Sequence, residues 1–310
     1  MNKLDESAAM VLELVRLSNA PTTDTLTPTE ARLAFLRACA VFNPPSPTLT
    51  EVRDLIAPGP GGPIKLRLYR DKAATTPQAG LVYFHGGGWV IGDLDSHDVA
   101  CRQMAQLSGA VVIAVDYRMA PEHKFPSAVD DAIAATQWIC AEAASLGIDP
   151  ARVAVGGDSA GANLAIVVSI AARDQAGPKL AGQALVYPST DMTAQTVSHA
   201  EFGEGYMLTN ALMQYFRGHY LRNDADREDW RASPNKIGDV AGLPRALVIT
   251  GGFDPLRDEG EAFAMRMVAA GVPVMIRRFA GQIHGFLNMG RLVPQADAAI
   301  AEIATFIRTL

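Results

Sequence analysis

Three residue types at three points of the chain could together cleave an acyl bond. Ser159 stands in Gly156-Gly157-Asp158-Ser159-Ala160-Gly161, with the apolar run Val153-Ala154-Val155 before it and Leu164 to Val168 after it. A strand that turns sharply into a helix needs small residues on both sides of the turn. The pattern Gly-x-Ser-x-Gly at such a junction lifts a serine hydroxyl above a sheet. It also sets the hydroxyl at a helix N-terminus, where unpaired N–H groups favour negative charge. A serine hydroxyl is a weak nucleophile at neutral pH. It needs a base in hydrogen-bond reach, and that base needs a carboxylate to orient it. Asp254, directly after the apolar run Ala246 to Thr250, and His284, after the run Pro273 to Phe279, follow Ser159 in the order acid then base. Asp258 is the rival acid, but it falls about one turn into the following helix, so Asp254 is preferred.

Acyl transfer also needs donors for the oxyanion of its tetrahedral intermediate. His85-Gly86-Gly87-Gly88-Trp89 follows the apolar run ending at Phe84. Glycines without Cβ can turn their N–H groups inward, and Gly86 and Gly87, with the N–H of Ala160, are the expected donors. A phosphate cradle is the competing reading. A dinucleotide loop requires Gly-x-Gly-x-x-Gly; here Gly92 arrives one place too late, and Trp89-Val90-Ile91 is bulky. Epoxide or haloalkane hydrolysis would need an aspartate where Ser159 stands. Amide and thioester cleavage use the same machinery as ester cleavage and stay open on the residues alone.

These residues must be positioned by a scaffold, and the hydrophobic pattern describes one. Strands are expected at 64–70, 80–84, 110–115, 152–155, 182–187, 246–250 and 273–279, most of them continuous apolar runs with helical patterns between. Such alternation means a largely parallel sheet covered on both faces. One helix begins near Ser127 and carries Val129, Ala132, Ile133, Thr136, Ile139 and Cys140 on one face, which puts Cys140 in the core. Two stretches break the rhythm. In the first, Ala8, Val11, Leu12 and Val15 share a helical face. Thr27-Pro28-Thr29-Glu30 then opens a second helix with a capping box, carrying Leu33, Leu36 and Ala40, until Asn43-Pro44-Pro45-Ser46-Pro47 stops it. The second stretch, 189–237, is richer in charge and aromatics, with a helix expected at 208–221. The boundaries are therefore 1–47, 48–188, 189–237 and 238–310. The N-terminal segment lies far in sequence from every candidate catalytic residue, so it is expected to shape access and leave the bond-breaking groups alone.

Composition closes off other classes. The chain has 310 residues and is 49% hydrophobic, enough for a large ordered core. Its formal net charge is −6 without a basic cluster, which disfavours a nucleic-acid partner. The longest apolar runs, such as 164–172, are too short for a membrane span. The first residues lack a basic stretch followed by an apolar one, and the three cysteines, Cys39, Cys101 and Cys140, are odd in number and widely spaced. A cytoplasmic protein with reduced thiols is expected. The six histidines form no ligand-spaced cluster, so neither metal nor cofactor is called for.

Taken together, His85-Gly86-Gly87-Gly88-Trp89, Asp116-Tyr117-Arg118-Met119-Ala120-Pro121-Glu122, Gly156-Gly157-Asp158-Ser159-Ala160-Gly161, Asp254-Pro255-Leu256-Arg257-Asp258-Glu259 and His284-Gly285-Phe286 span most of the chain. In these motifs the chain resembles the hormone-sensitive-lipase-like bacterial carboxylesterases of the α/β-hydrolase superfamily. That resemblance implies an eight-stranded, mostly parallel sheet flanked by helices. It also implies a helical cap built from segment 1–47 and the insertion 189–237. The implied activity is hydrolysis of short- to medium-chain acyl esters, small-molecule substrates, without cofactor; homodimerisation is left open. Some plant hormone receptors share the resemblance but lack the histidine, whereas His284 is present here. The resemblance makes the stretch from Tyr117 to Glu122 a structural, ion-paired loop beneath the elbow.

Overall fold

The computed structural model describes residues 3–72, 76–175 and 177–310. Two helices come first, α1 (Glu6–Ser18) and α2 (Pro28–Phe42). The capping box at Thr27 forms as the pattern requires: Thr27 Oγ1 accepts the Glu30 N–H, and the Glu30 carboxylate accepts the Thr27 N–H. A hairpin, β1 (Glu51–Ala57) and β2 (Ile64–Arg70), leads into alternating units. These are β3 (Gln78–Phe84), α3 (Asp98–Ser108), β4 (Val111–Asp116), α4 (Ser127–Ala141), β5 (Ile148–Asp158), α5 (Ala160–Asp174) and β6 (Gly182–Val186). Two helices interrupt, α6 (Val197–Phe202) and α7 (Asn210–Tyr220). The chain then closes with β7 (Ala246–Phe253), α8 (Arg257–Ala269), β8 (Val274–Ile283) and α9 (Pro294–Arg308).

All eight strands join one sheet in the order β1-β2-β4-β3-β5-β6-β7-β8. β2 is antiparallel to β1 and β4, and the remaining pairs are parallel. The chain is thus an α/β protein with a mostly parallel sheet. Alternate residues of the central strands serve two separate cores. Val82, Phe84, Val153 and Val155 face α4, α5 and α8. Leu81, Tyr83 and Ala154 face α3 and α9. Burial on both faces is why these strands read as unbroken apolar runs.

Several boundaries differ from the pattern. β1 has no expected counterpart: Glu51 is half-buried and Arg53 and Asp54 are exposed on an edge strand, so little apolar periodicity marks it. β5 starts earlier, at Ile148, because the strand continues past Pro150. Leu33 and Ala40 are exposed, while Ala31 and Cys39 are the buried residues of α2. Cys140 is half-buried against the core rather than within it, and burial still pushes its thiol up to about 11.

Candidate active site

The elbow forms where β5 hands over to α5. Ser159 sits between them at φ 55° and ψ −117°, a conformation that costs a non-glycine residue about 1–3 kcal/mol. Its N–H donates to the Val186 carbonyl at 2.8 Å. A Cβ on Gly161 would collide with the Phe84 carbonyl, and one on Gly157 would lie 2.5 Å from the Gly161 carbonyl carbon. The small flanking residues are therefore a steric demand of the turn. The first turns of α5, Ala160 to Ala171, are buried throughout, which anchors the strained residue.

His284 follows β8 and Asp254 follows β7. The structure brings both to Ser159: His284 Nε2 lies 3.0 Å from Ser159 Oγ, and His284 Nδ1 lies 2.7 Å from Asp254 Oδ2. Asp254 is fully buried, and its other oxygen accepts the Leu256 N–H at 2.8 Å. A carboxylate can only accept, so Nδ1 carries the proton toward Asp254 and Nε2 is left to accept from the serine hydroxyl. The Tyr187 ring packs against the imidazole, with centroids 4.6 Å apart. Asp258 is elsewhere. It pairs with Arg257 at 2.7 Å and accepts the Ser198 N–H at 2.8 Å, tying α6 to α8.

The glycine loop departs from expectation at its first member. The Gly86 N–H donates to Asp158 Oδ1 at 2.9 Å, so it is spent inside the protein and cannot serve an oxyanion. Gly87 and Gly88 both have positive φ, 114° and 60°. Their N–H groups and that of Ala160 meet no acceptor among the described residues. The loop is hemmed in from outside: a Cβ on Gly88 would strike the Phe216 ring of α7, and Trp89 stacks on Tyr220 with centroids 4.4 Å apart. The chain after β4 supports the same loop rather than the elbow. Tyr117 stacks on His85 and its hydroxyl donates to the His85 carbonyl at 2.8 Å. Arg118 pairs with the buried Asp131, but Glu122 is exposed.

Sequence reasoning missed the residues that hold this loop from above. Arg32 of α2 donates to the carbonyls of Val90 and Ala120, both at 2.8 Å, and to the Glu122 carboxylate. Phe35 lies against His97, centroids 6.1 Å apart. Helix α2 thus bears on the chain that follows the glycine loop. No pattern in the sequence links Arg32 to a carbonyl 58 positions away. Among the described residues, no group of His, Cys, Asp and Glu is gathered to hold a metal ion, and no helix is long and apolar enough to cross a membrane.

Beside the site lies a buried carboxyl, Glu259, whose Oε1 accepts the Thr190 N–H at 2.6 Å and the Asp191 N–H at 3.1 Å. Burial pushes it from an ordinary 4.5 up to about 8. The native protein therefore holds a proton that the unfolded chain has already released, and stability falls as pH rises from about 4.5 to about 8. Glu259→Gln has no such proton to lose. Its melting temperature relative to the parent protein should climb across that window; a constant difference would show that Glu259 is ionised throughout.

The profile of the α/β hydrolase fold family matches residues 81–288. The chain is 42% identical to the carboxylic ester hydrolase LipN of Mycobacterium tuberculosis, over 99% of this chain and 83% of that one. It is 38% identical to the ethyl acetate hydrolase of Pseudomonas putida, over 88% and 87% of the two chains. The hyperthermophilic esterase of the archaeon Pyrobaculum calidifontis superposes with a TM-score of 0.94 at 38% identity, covering 99% of this chain and 98% of that one. With its sheet order, its serine elbow and these relatives, the chain belongs to the α/β-hydrolase fold family, as one of its carboxylic ester hydrolases.

Proposed function

We propose that the chain is a serine esterase working through an acyl-enzyme, with Ser159, His284 and Asp254 as its triad. The hydrogen-bonded line from Asp254 through His284 to Ser159 Oγ carries this reading. Ser159 Oγ attacks the ester carbonyl while His284 Nε2 takes its proton. The carbonyl oxygen becomes an oxyanion, which receives the N–H groups of Gly87, Gly88 and Ala160. Collapse breaks the bond to the alkoxy oxygen, and His284 returns the proton to it as the alcohol leaves. A water then attacks the acyl-serine by the same steps, releasing the acid.

Short- to medium-chain acyl esters are the proposed substrates. Leu208, Met213 and Leu256 form an apolar cluster beside Asp254, and Phe216 reaches down onto Gly88. Side chains of the insertion thus stand close over the reacting groups. Segments 1–47 and 189–237 are proposed to act as one cap over the strand ends. The proposed compartment is the cytoplasm, a reading supported by three free thiols.

The test is a series of p-nitrophenyl esters from acetate to palmitate, with an aryl phosphonate as covalent probe. Turnover should peak among the shorter chains, and mass spectrometry should find one phosphonyl adduct, on the peptide holding Ser159. An adduct on another residue, or rates that keep rising to palmitate, would overturn the assignment or the chain-length reading respectively.

A further inference from the structure

The residue directly before the nucleophile is a buried carboxylate with work of its own. Asp158 is 4% exposed, and two donors converge on its Oδ1, the Tyr83 hydroxyl and the Gly86 N–H, both at 2.9 Å, with the His97 ring beside it, Nε2 3.3 Å away. Burial alone would raise this carboxyl, but the neighbouring His97 imidazole and the Tyr83 hydroxyl outweigh it and hold the group below the usual carboxylate range. It is therefore an anion at neutral pH inside a dry wall, and such a group is retained only with its donors in place.

His97 is held as firmly on its far side. It is 1% exposed, and its Nδ1 lies 3.0 Å from Ser96 Oγ. That hydroxyl already donates to the Asp93 carbonyl at 2.9 Å and accepts the Asp93 N–H at 2.9 Å, so the ring is fixed by a closed turn. The Asn288 side-chain amide, 3.1 Å from Nε2, closes the other edge. The ring cannot swing without breaking these contacts.

We propose that Asp158 and His97 are positioning residues for the oxyanion donors, with Asp158 joining the elbow to the glycine loop through the Gly86 N–H. Tyr117 and Arg32 grip the loop near its two ends, at the carbonyls of His85 and Val90. Between them the Gly86 carbonyl lies 2.7 Å from His85 Nδ1 and the Gly87 carbonyl accepts the Val90 and Ile91 N–H groups, while the Asp158 bond holds the Gly86 N–H and ties the loop to the elbow. The same aspartate is covalently joined to Ser159, so nucleophile and donors share one reference point. Donors must lie about 2.7–3.1 Å from where the oxyanion forms, and a loop that drifts by less than an ångström loses that fit. The inference rests on the serine-esterase reading above.

The test measures Asp158→Ala, Asp158→Asn and His97→Gln. Loss of one oxyanion donor lowers kcat about 10²–10³-fold in acyl-transfer enzymes. Asp158→Ala should approach that loss. Asp158→Asn keeps an acceptor for the Gly86 N–H and should recover roughly tenfold or more of it, and His97→Gln should fall between, on the same scale. KM should change little. A trifluoromethyl ketone, which forms a tetrahedral adduct with an active-site serine, should lose affinity by the same factor as kcat/KM is lost. Variants that melt lower yet bind the ketone as the parent does would show a purely structural role and overturn the proposal. So would unchanged kcat. His97→Gln, which leaves the Gly86 contact intact, decides the matter if the Asp158 variants do not fold. A parent protein that the ketone fails to inhibit would instead overturn the serine-esterase reading itself.

Discussion

Ser159→Ala lowers kcat by about 10⁵-fold or more while the protein still folds; this is the expected result of removing the nucleophile from a unit whose members act together. The geometry favours a clean experiment. Alanine has the same Cβ as serine, so the strain at φ 55° is unchanged. Among the described residues the hydroxyl's one side-chain partner is His284 Nε2, so no other buried group there is orphaned. Melting temperature should move little, and steady-state hydrolysis of a short p-nitrophenyl ester supplies the readout. A residual rate within tenfold of the parent would mean that another group attacks the ester.

The two nearby carboxylates should separate by orders of magnitude. Asp254→Asn presents an amide to His284 Nδ1 and rewards the wrong tautomer, for which a loss of about 10⁴ in kcat is the measured precedent in a serine triad. Asp258→Asn breaks an ion pair with Arg257 and weakens the hold on the Ser198 N–H. Its effect should stay within about tenfold, because a partly exposed ion pair contributes roughly 0–1 kcal/mol. Rates of both variants on one substrate, with circular dichroism to verify folding, give the ranking. The reverse order would move the triad's acid to Asp258.

What the sequence disclosed follows from what leaves a local mark. Ser159 and Asp254 sit at the carboxyl ends of β5 and β7, which are buried on both faces there and announce themselves as apolar runs, whereas His284 follows the edge strand β8, whose Met275, Arg277 and Arg278 are exposed. Small residues around Ser159 are forced by clashes within a few positions of chain, so they too are legible. The edge strand β1 left no such trace because solvent tolerates its Arg53 and Asp54. Gly86 was misread for a different reason. A triple glycine tells that N–H groups can turn inward, but not which of them another side chain has already taken. That depended on Asp158, 72 positions away. Arg32 and Phe35 were invisible for the same cause: their partners are loop carbonyls and a histidine that only the folded sheet brings beneath them.

Arg32 bears on how such a protein can change. It reaches from α2 to the carbonyls of Val90 and Ala120, so this helix is tied to the chain that follows the glycine loop. A change of sequence that moves α2 would therefore also move the two carbonyls it holds. An exchange of this segment between relatives would keep the tie where the receiving chain offers the same two carbonyls, with the exposed Glu122 carboxylate as a further partner.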